Sequence, residues 1–193
     1  MLAVKLLGQF DVRRGDTPVV VPSRAAQSLL AYLLLTAGTP HRREKLAGLL
    51  WPDTTDESAR SNLRHELWRL RKAIESKMPK KKPVSYLLVD EISVGFNAQS
   101  DYWLDVAVVQ KPIAEPASVD HLIETPSLYR GELLPGFYDE WVILEREHVR
   151  AFRDPADRQR SPRVRDVPGS ARRPVGTRRP VRDRSRRSNP APR

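Results

Sequence analysis

Residues 54–74, TTDESARSNLRHELWRLRKAI, restrict the possible fold of this chain more than any other segment. At 100° per residue, Ala59, Leu63, Leu67, Leu70 and Ile74 fall on one stripe, and Ser61, His65, Trp68 and Lys72 fall on the opposite side. A helix of this kind needs other elements to bury its leucine stripe. Thr54 followed three residues later by Glu57 has the form of a capping box, which would start the helix there. Arg64, Arg69 and Arg71 lie on the flanks. A solvated charged face is the ordinary reading of the polar stripe. Trp68 strains that reading, because a large apolar ring opposite the core stripe needs a cover, either another element or a ligand.

The segments before it supply candidate partners. Residues 2–21 break into short alternating runs, LAVKLLG and QFDVRR, then a Gly15-Asp16 turn and the β-branched run 19–21, which predicts a small antiparallel sheet. Pro22 and Ser23 end the last strand, and Ser23 can cap a first helix over residues 24–36, where Leu29, Leu30, Leu33 and Leu34 follow helical spacing and Gly38 marks the stop. A second helix is expected over residues 41–50 with Leu46, Leu49 and Leu50 inside, ended by Pro52. Its first turn carries Arg42 and Arg43, where the helix dipole favours acids, and Glu44 only partly offsets them. A docked phosphate would account for the pair; a solvated pair is the alternative.

Two short helices joined by residues 51–54, the second bearing Arg, His, Ser and Lys outward, make a helix-turn-helix whose second helix can enter a major groove. After it, residues 86–89 and 93–96 flank Asp90-Glu91-Ile92 as a hairpin, in the place of a wing. Lys80, Lys81 and Lys82 would then lie beside the duplex and neutralise phosphates, unless they form a flexible basic loop.

Charge supports this only when taken locally. The chain has 193 residues and a net charge of +10, but residues 154–193 hold 13 Arg against 4 Asp, so most of the basicity is in the tail. Within the remainder, residues 23–82 carry 13 basic and 6 acidic side chains, and residues 83–153 carry 5 basic and 12 acidic. The first surface suits phosphate and the second suits protein or solvent. There is no cysteine, and no apolar run has the roughly 18 residues of a membrane span, so we expect a cytoplasmic protein with no membrane partner.

The runs SRAAQSLLAYLLLTAGTPHRREKLAGLLWPDTTDESARSNLRHELWRLRKAI, DYWLDV and LYRGELLPGFYDEWVILERE, in that order, resemble the bacterial antibiotic-regulatory-type transcriptional activators. The resemblance covers about residues 2–152. It implies an α+β fold: an OmpR-type winged helix-turn-helix with an N-terminal four-stranded sheet in residues 1–105. The start of a bacterial transcriptional activator domain, an all-α tetratricopeptide-like segment, would follow in residues 106–153. It further implies that the third helix reads promoter DNA. Carried over to this sequence, Ser61, Arg64, His65, Trp68, Arg69 and Lys72 are candidates for the DNA-facing surface, and Arg42 or Arg43 holds a phosphate. Trp68 could instead pack under the wing, which we favour. Double-stranded promoter DNA is the expected ligand, with RNA polymerase and a second copy on direct repeats as protein partners.

The chain departs from the family twice. Pro112, Pro116 and Pro126 punctuate the first expected helix of the activator domain and should shorten it. After residue 153 the helical array should continue, yet Leu, Ile, Phe, Met, Trp, Tyr, Lys and Glu all vanish and Arg, Pro, Asp, Ser and Val take over. Such a segment cannot bury enough apolar surface to fold, so residues 154–193 are expected to be disordered. Because the change falls inside an apparent helix over residues 138–153, we expect a shifted reading frame and a truncated product; a native basic tail is the competing account. A truncated array would leave Phe137, Trp141 and Leu144 partly exposed.

As an enzyme the chain offers little. It has no P-loop, no G-x-S-x-G and no cysteine nucleophile, and His41, His65, His121 and His148 lie on separate elements, so no catalytic residue, metal site or cofactor is expected. The serious rivals to DNA binding are a protein–protein interaction module and a truncated, non-functional regulator fragment.

Overall fold

The computed structural model describes residues 1–75, 85–110 and 131–151, which lie within one compact unit, Met1–Arg160. Lys80, Lys81, Lys82, the three prolines of residues 112–126 and the whole tail fall outside the described residues. In chain order the elements are β1 (Leu2–Lys5), β2 (Asp11–Arg14), β3 (Thr17–Pro18), α1 (Arg24–Leu35), β4 (His41–Arg42), α2 (Arg43–Leu50) and α3 (Asp56–Glu75). After these come β5 (Leu87–Val89), β6 (Ser93–Phe96), β7 (Tyr102–Leu104), α4 (Asp105–Gln110) and α5 (Glu140–Ala151). This α+β arrangement is compatible with a winged helix.

The first sheet has the order β3-β2-β1-β7. The expected antiparallel pairing of β1 and β2 is present, with Val4 opposite Val12. The third strand is Thr17–Pro18 rather than residues 19–21, because the Gly15 turn, at φ +55°, reverses the chain at once. The fourth strand is not N-terminal. Residues 102–104, at the end of the 1–105 span expected for the winged helix, pair parallel to β1, with Leu104 beside Val4. Leu2, Val4 and Leu6 alternate inward and are fully buried, as period-2 patterning requires.

Helix α1 starts where Ser23 Oγ accepts from the Ala26 amide at 3.0 Å, and its Leu29, Leu30, Leu33 and Leu34 are buried. The expected second helix is shorter by two residues. His41 and Arg42 form β4 and pair with Val94 and Ser93 of β6, and the Arg43 amide donates to Ile92 O at 3.0 Å. A partner strand some fifty residues away therefore takes these two residues out of the helix, and the second sheet becomes β4-β6-β5. Leu46 is fully buried, whereas Leu49 and Leu50 are half-buried.

Helix α3 begins one residue later than the capping box predicts. Thr54 Oγ donates back to Trp51 O at 3.1 Å, and Thr55 is the cap, with its hydroxyl donating to Ser58 Oγ at 2.9 Å and accepting from the Ser58 amide at 3.4 Å. The Thr54–Glu57 box is not made, since Thr54 is committed to the preceding turn. The stripe is as expected: Ala59, Leu63, Leu67, Leu70 and Ile74 are all buried against α1 and α2. Each fully buried leucine contributes about 1.5–3 kcal/mol.

Residues 131–151 are joined to this core. The Gly8 amide donates to Glu132 O at 2.9 Å, the Leu134 amide donates to Leu6 O at 2.8 Å, and Leu7 bridges Leu133. A Cβ on Gly131 would sit 2.9 Å from Gly8 Cα, so this close approach of the two segments needs glycine at position 131. The Arg24 guanidinium lies 3.4 Å over the Phe137 ring, and Tyr32 meets Trp141 edge-on at 5.2 Å. Phe137 and Trp141, expected to be partly exposed, are therefore buried, because α1 and the first sheet cover them; Leu144 is exposed. Arg146 secures the corner by donating to the carbonyls of Leu133, Leu134 and Phe137 at 2.8, 2.6 and 2.9 Å. Leu134, with φ of 50°, is held in a left-handed conformation by these contacts.

Candidate nucleic-acid interface

The outward face of α3 is the candidate surface. Ser61, Arg64, His65, Trp68 and Lys72 are all exposed, along a helix of 20 residues, about 30 Å long at 1.5 Å per residue. Arg69 lies on the flank, half-buried, and donates to Glu66 Oε1 at 3.1 Å, so its charge is already engaged. Arg42 is exposed at the cap of α2. Arg43, in the first turn, directs Nε to Asp90 O in the wing at 3.0 Å. Among the described residues Arg42, Arg60, Arg64 and Lys72 make no ion pair.

Trp68 departs from expectation. It does not pack under the wing: it is 60% exposed, and Arg71 is the residue that reaches the wing strand β5, donating to Leu87 O at 3.5 Å. Lys72 Nζ stands 5.1 Å over the indole ring. Between the helix and Val89 of β5 lies a shallow notch of about 170 Å³, lined by Arg43, Arg64, Leu67, Trp68, Arg71 and Val89.

Three carboxylates hold this surface in place, and none was among the candidates. Glu66, only 8% exposed, accepts from Ser23 Oγ at the start of α1 as well as from Arg69, and so fixes α3 to α1. Its position within the apolar arc, between Leu63 and Leu70, was the available signal. Glu75 ends α3 and gathers the start of the wing. Its Oε1 accepts from the Tyr86 and Leu87 amides at 2.9 and 3.1 Å and from Ser85 Oγ, while Oε2 pairs with Arg71 at 3.1 Å. Asp90 closes the wing turn, accepting from the Ile92 and Ser93 amides and from Ser93 Oγ; these bonds, with Arg43 nearby, hold its carboxyl below the usual carboxylate range.

Farther from the surface, His41 and Asp105 are buried. Thr36 Oγ donates to Tyr32 O, which leaves His41 Nε2 as the donor to Thr36 Oγ at 2.7 Å; desolvation, then Lys45, lowers the His41 pKa. Asp105 accepts from the Leu6, Leu7 and Val106 amides at the corner between β7 and α4. Burial nevertheless pushes its carboxyl above the usual value, with those bonds opposing the shift.

No family model matches the chain, and no curated protein does. Among solved structures it is similar to Mycobacterium tuberculosis EmbR in complex with a low-affinity phosphopeptide, with a TM-score of 0.57 at 20% identity. The alignment covers 78% of this chain and 44% of EmbR, so the chain spans less than half the length of that protein. The likeness is one of fold.

Proposed function

We propose that this chain is a sequence-specific DNA-binding transcriptional regulator, with α3 in the major groove and the β5–β6 wing on the backbone. One observation carries the reading. A long helix buries one stripe completely and presents Ser61, Arg64, His65, Trp68 and Lys72 together on the other, with a short helix before it and a hairpin after it. Arg42 and Arg64 would neutralise phosphates, while Ser61, His65 and Lys72 reach base edges. Lys80, Lys81 and Lys82 would add backbone charge, and Arg69 and Arg43 would serve mainly to hold the helix and wing. The likeness to EmbR, one of fold, is compatible with the reading. RNA polymerase and a second copy on direct repeats are the protein partners proposed with this function. Among the described residues no helix is long and apolar enough to cross a membrane.

A selection of duplexes from a random pool tests the proposal, using the chain ended after Arg153 so that the arginine-rich tail adds no charge. Enrichment of a direct-repeat sequence is expected, with affinity falling steeply as salt rises, since each phosphate contact adds about −0.9 to the log–log slope. Equal affinity for random duplexes would overturn it. A protein-binding role is favoured by one different observation: Tyr138, Ile143 and Leu144 are exposed apolar side chains at and on α5. Failure of the selection would leave that reading standing.

A further inference from the structure

Resting on the DNA-binding reading, we propose that Trp68 reads sequence, its indole making apolar contact with the C5-methyl group of a thymine in the major groove. Ser61, His65 and Lys72 share its face at helical spacing, so the ring sits in the middle of the surface rather than at its rim. It is 60% exposed, and no element of the described chain covers it. Lys72 Nζ, 5.1 Å above the ring, and the notch formed with Leu67 and Val89 restrict its orientation before any ligand arrives. Arg43, Arg64 and Arg71 line that notch, so a ligand contacting the indole there meets three guanidinium groups as well. A polyanion with apolar groups on its reading edge fits this chemistry. In a duplex the only such group in the major groove is the thymine methyl. The indole offers one N–H donor and no acceptor, so it cannot bond the exposed amino groups of adenine or cytosine.

The test uses the full chain and a duplex enriched from the random pool, in which each thymine is replaced in turn by deoxyuridine, a change that removes only the methyl group. At one or two positions wild-type affinity should fall roughly fourfold. Trp68→Ala should bind the parent duplex more weakly by about the same factor and lose nothing further at those positions. Trp68→Phe keeps an apolar ring and should retain part of the methyl sensitivity. Because the side chain is exposed, both variants should melt with the wild type; should the alanine variant unfold, the phenylalanine variant and the wild-type scan decide the matter. Wild-type binding indifferent to every methyl, or a folded Trp68→Ala as sensitive as the wild type, would overturn the inference while leaving DNA binding intact. A wild type that prefers no duplex over random DNA would remove both.

Discussion

Glu75 is the residue on which the geometry of helix and wing most depends, and replacing it gives a quantitative test. Its carboxylate is the acceptor for the Tyr86 and Leu87 amides, for Ser85 Oγ and for Arg71, at a site where the side chain is 16% exposed. Glu75→Ala leaves two backbone donors without that partner. A lost bond to a charged acceptor costs about 1.5–3 kcal/mol when buried. Partial solvation lowers this, and the exposed Arg71 pair adds only about 0.3–0.5 kcal/mol. The net loss should be about 2–3 kcal/mol, or a melting temperature lower by roughly 5–10 °C for a unit of this size. Glu75→Gln keeps Oε1 and should lose only about 1 kcal/mol. Urea unfolding followed by circular dichroism measures both, and hydrogen exchange at the Tyr86 and Leu87 amides should accelerate in the alanine variant alone. An alanine variant within about 0.5 kcal/mol of wild type, or a glutamine variant equally damaged, would refute the clamp.

Three further outcomes follow from the packing. Arg146→Met removes the donor from three carbonyls and should cost about 3 kcal/mol, read as a lower urea midpoint; an unchanged midpoint would show that residues 133–137 are held by apolar contact alone. Gly131→Ala sets a Cβ 2.9 Å from Gly8 Cα, so it should destabilise by about 1–3 kcal/mol, whereas Gly48→Ala, with open space around it, should not. His41 has a folded pKa below 6.5, so the unfolded chain takes up a proton that the folded one does not. Stability should therefore be full above about 6.5 and fall as pH drops from there through the folded value. A urea midpoint whose fall below that pH is unchanged in His41→Gln would contradict the assignment.

What could be read from the sequence was local. The leucine stripe of α3, the Ser23 cap and the Asp90 turn each depend on residues within a few positions of one another, and their chemistry shows in the string. The strands β4 and β7 depend on partners far along the chain: His41 pairs with Val94, and Leu104 lies beside Val4. Neither pairing leaves a local trace, so His41 and Arg42 read as the start of a helix and residues 102–104 do not read as a strand of the first sheet. Phe137 and Trp141 looked exposed for the same reason, since their cover comes from α1. For the candidate surface, periodicity correctly placed Ser61, His65, Trp68 and Lys72 outward. It could not say which arginines were free, because Glu66 and Glu75 draw Arg69 and Arg71 into ion pairs.

The outward face of α3 can be tested directly by comparing Arg64→Ala/Lys72→Ala with the wild type, both ended after Arg153, on a selected duplex and on random DNA. Both side chains are exposed and make no ion pair among the described residues, so the melting temperature should stay within about 2 °C of wild type. Affinity for the selected duplex should fall by at least roughly tenfold, and by more than affinity for random DNA, because losing Arg64 weakens both whereas losing Lys72 weakens the selected duplex alone. Wild-type affinity for the selected duplex would mean that α3 presents some other face to DNA, or does not meet it at all.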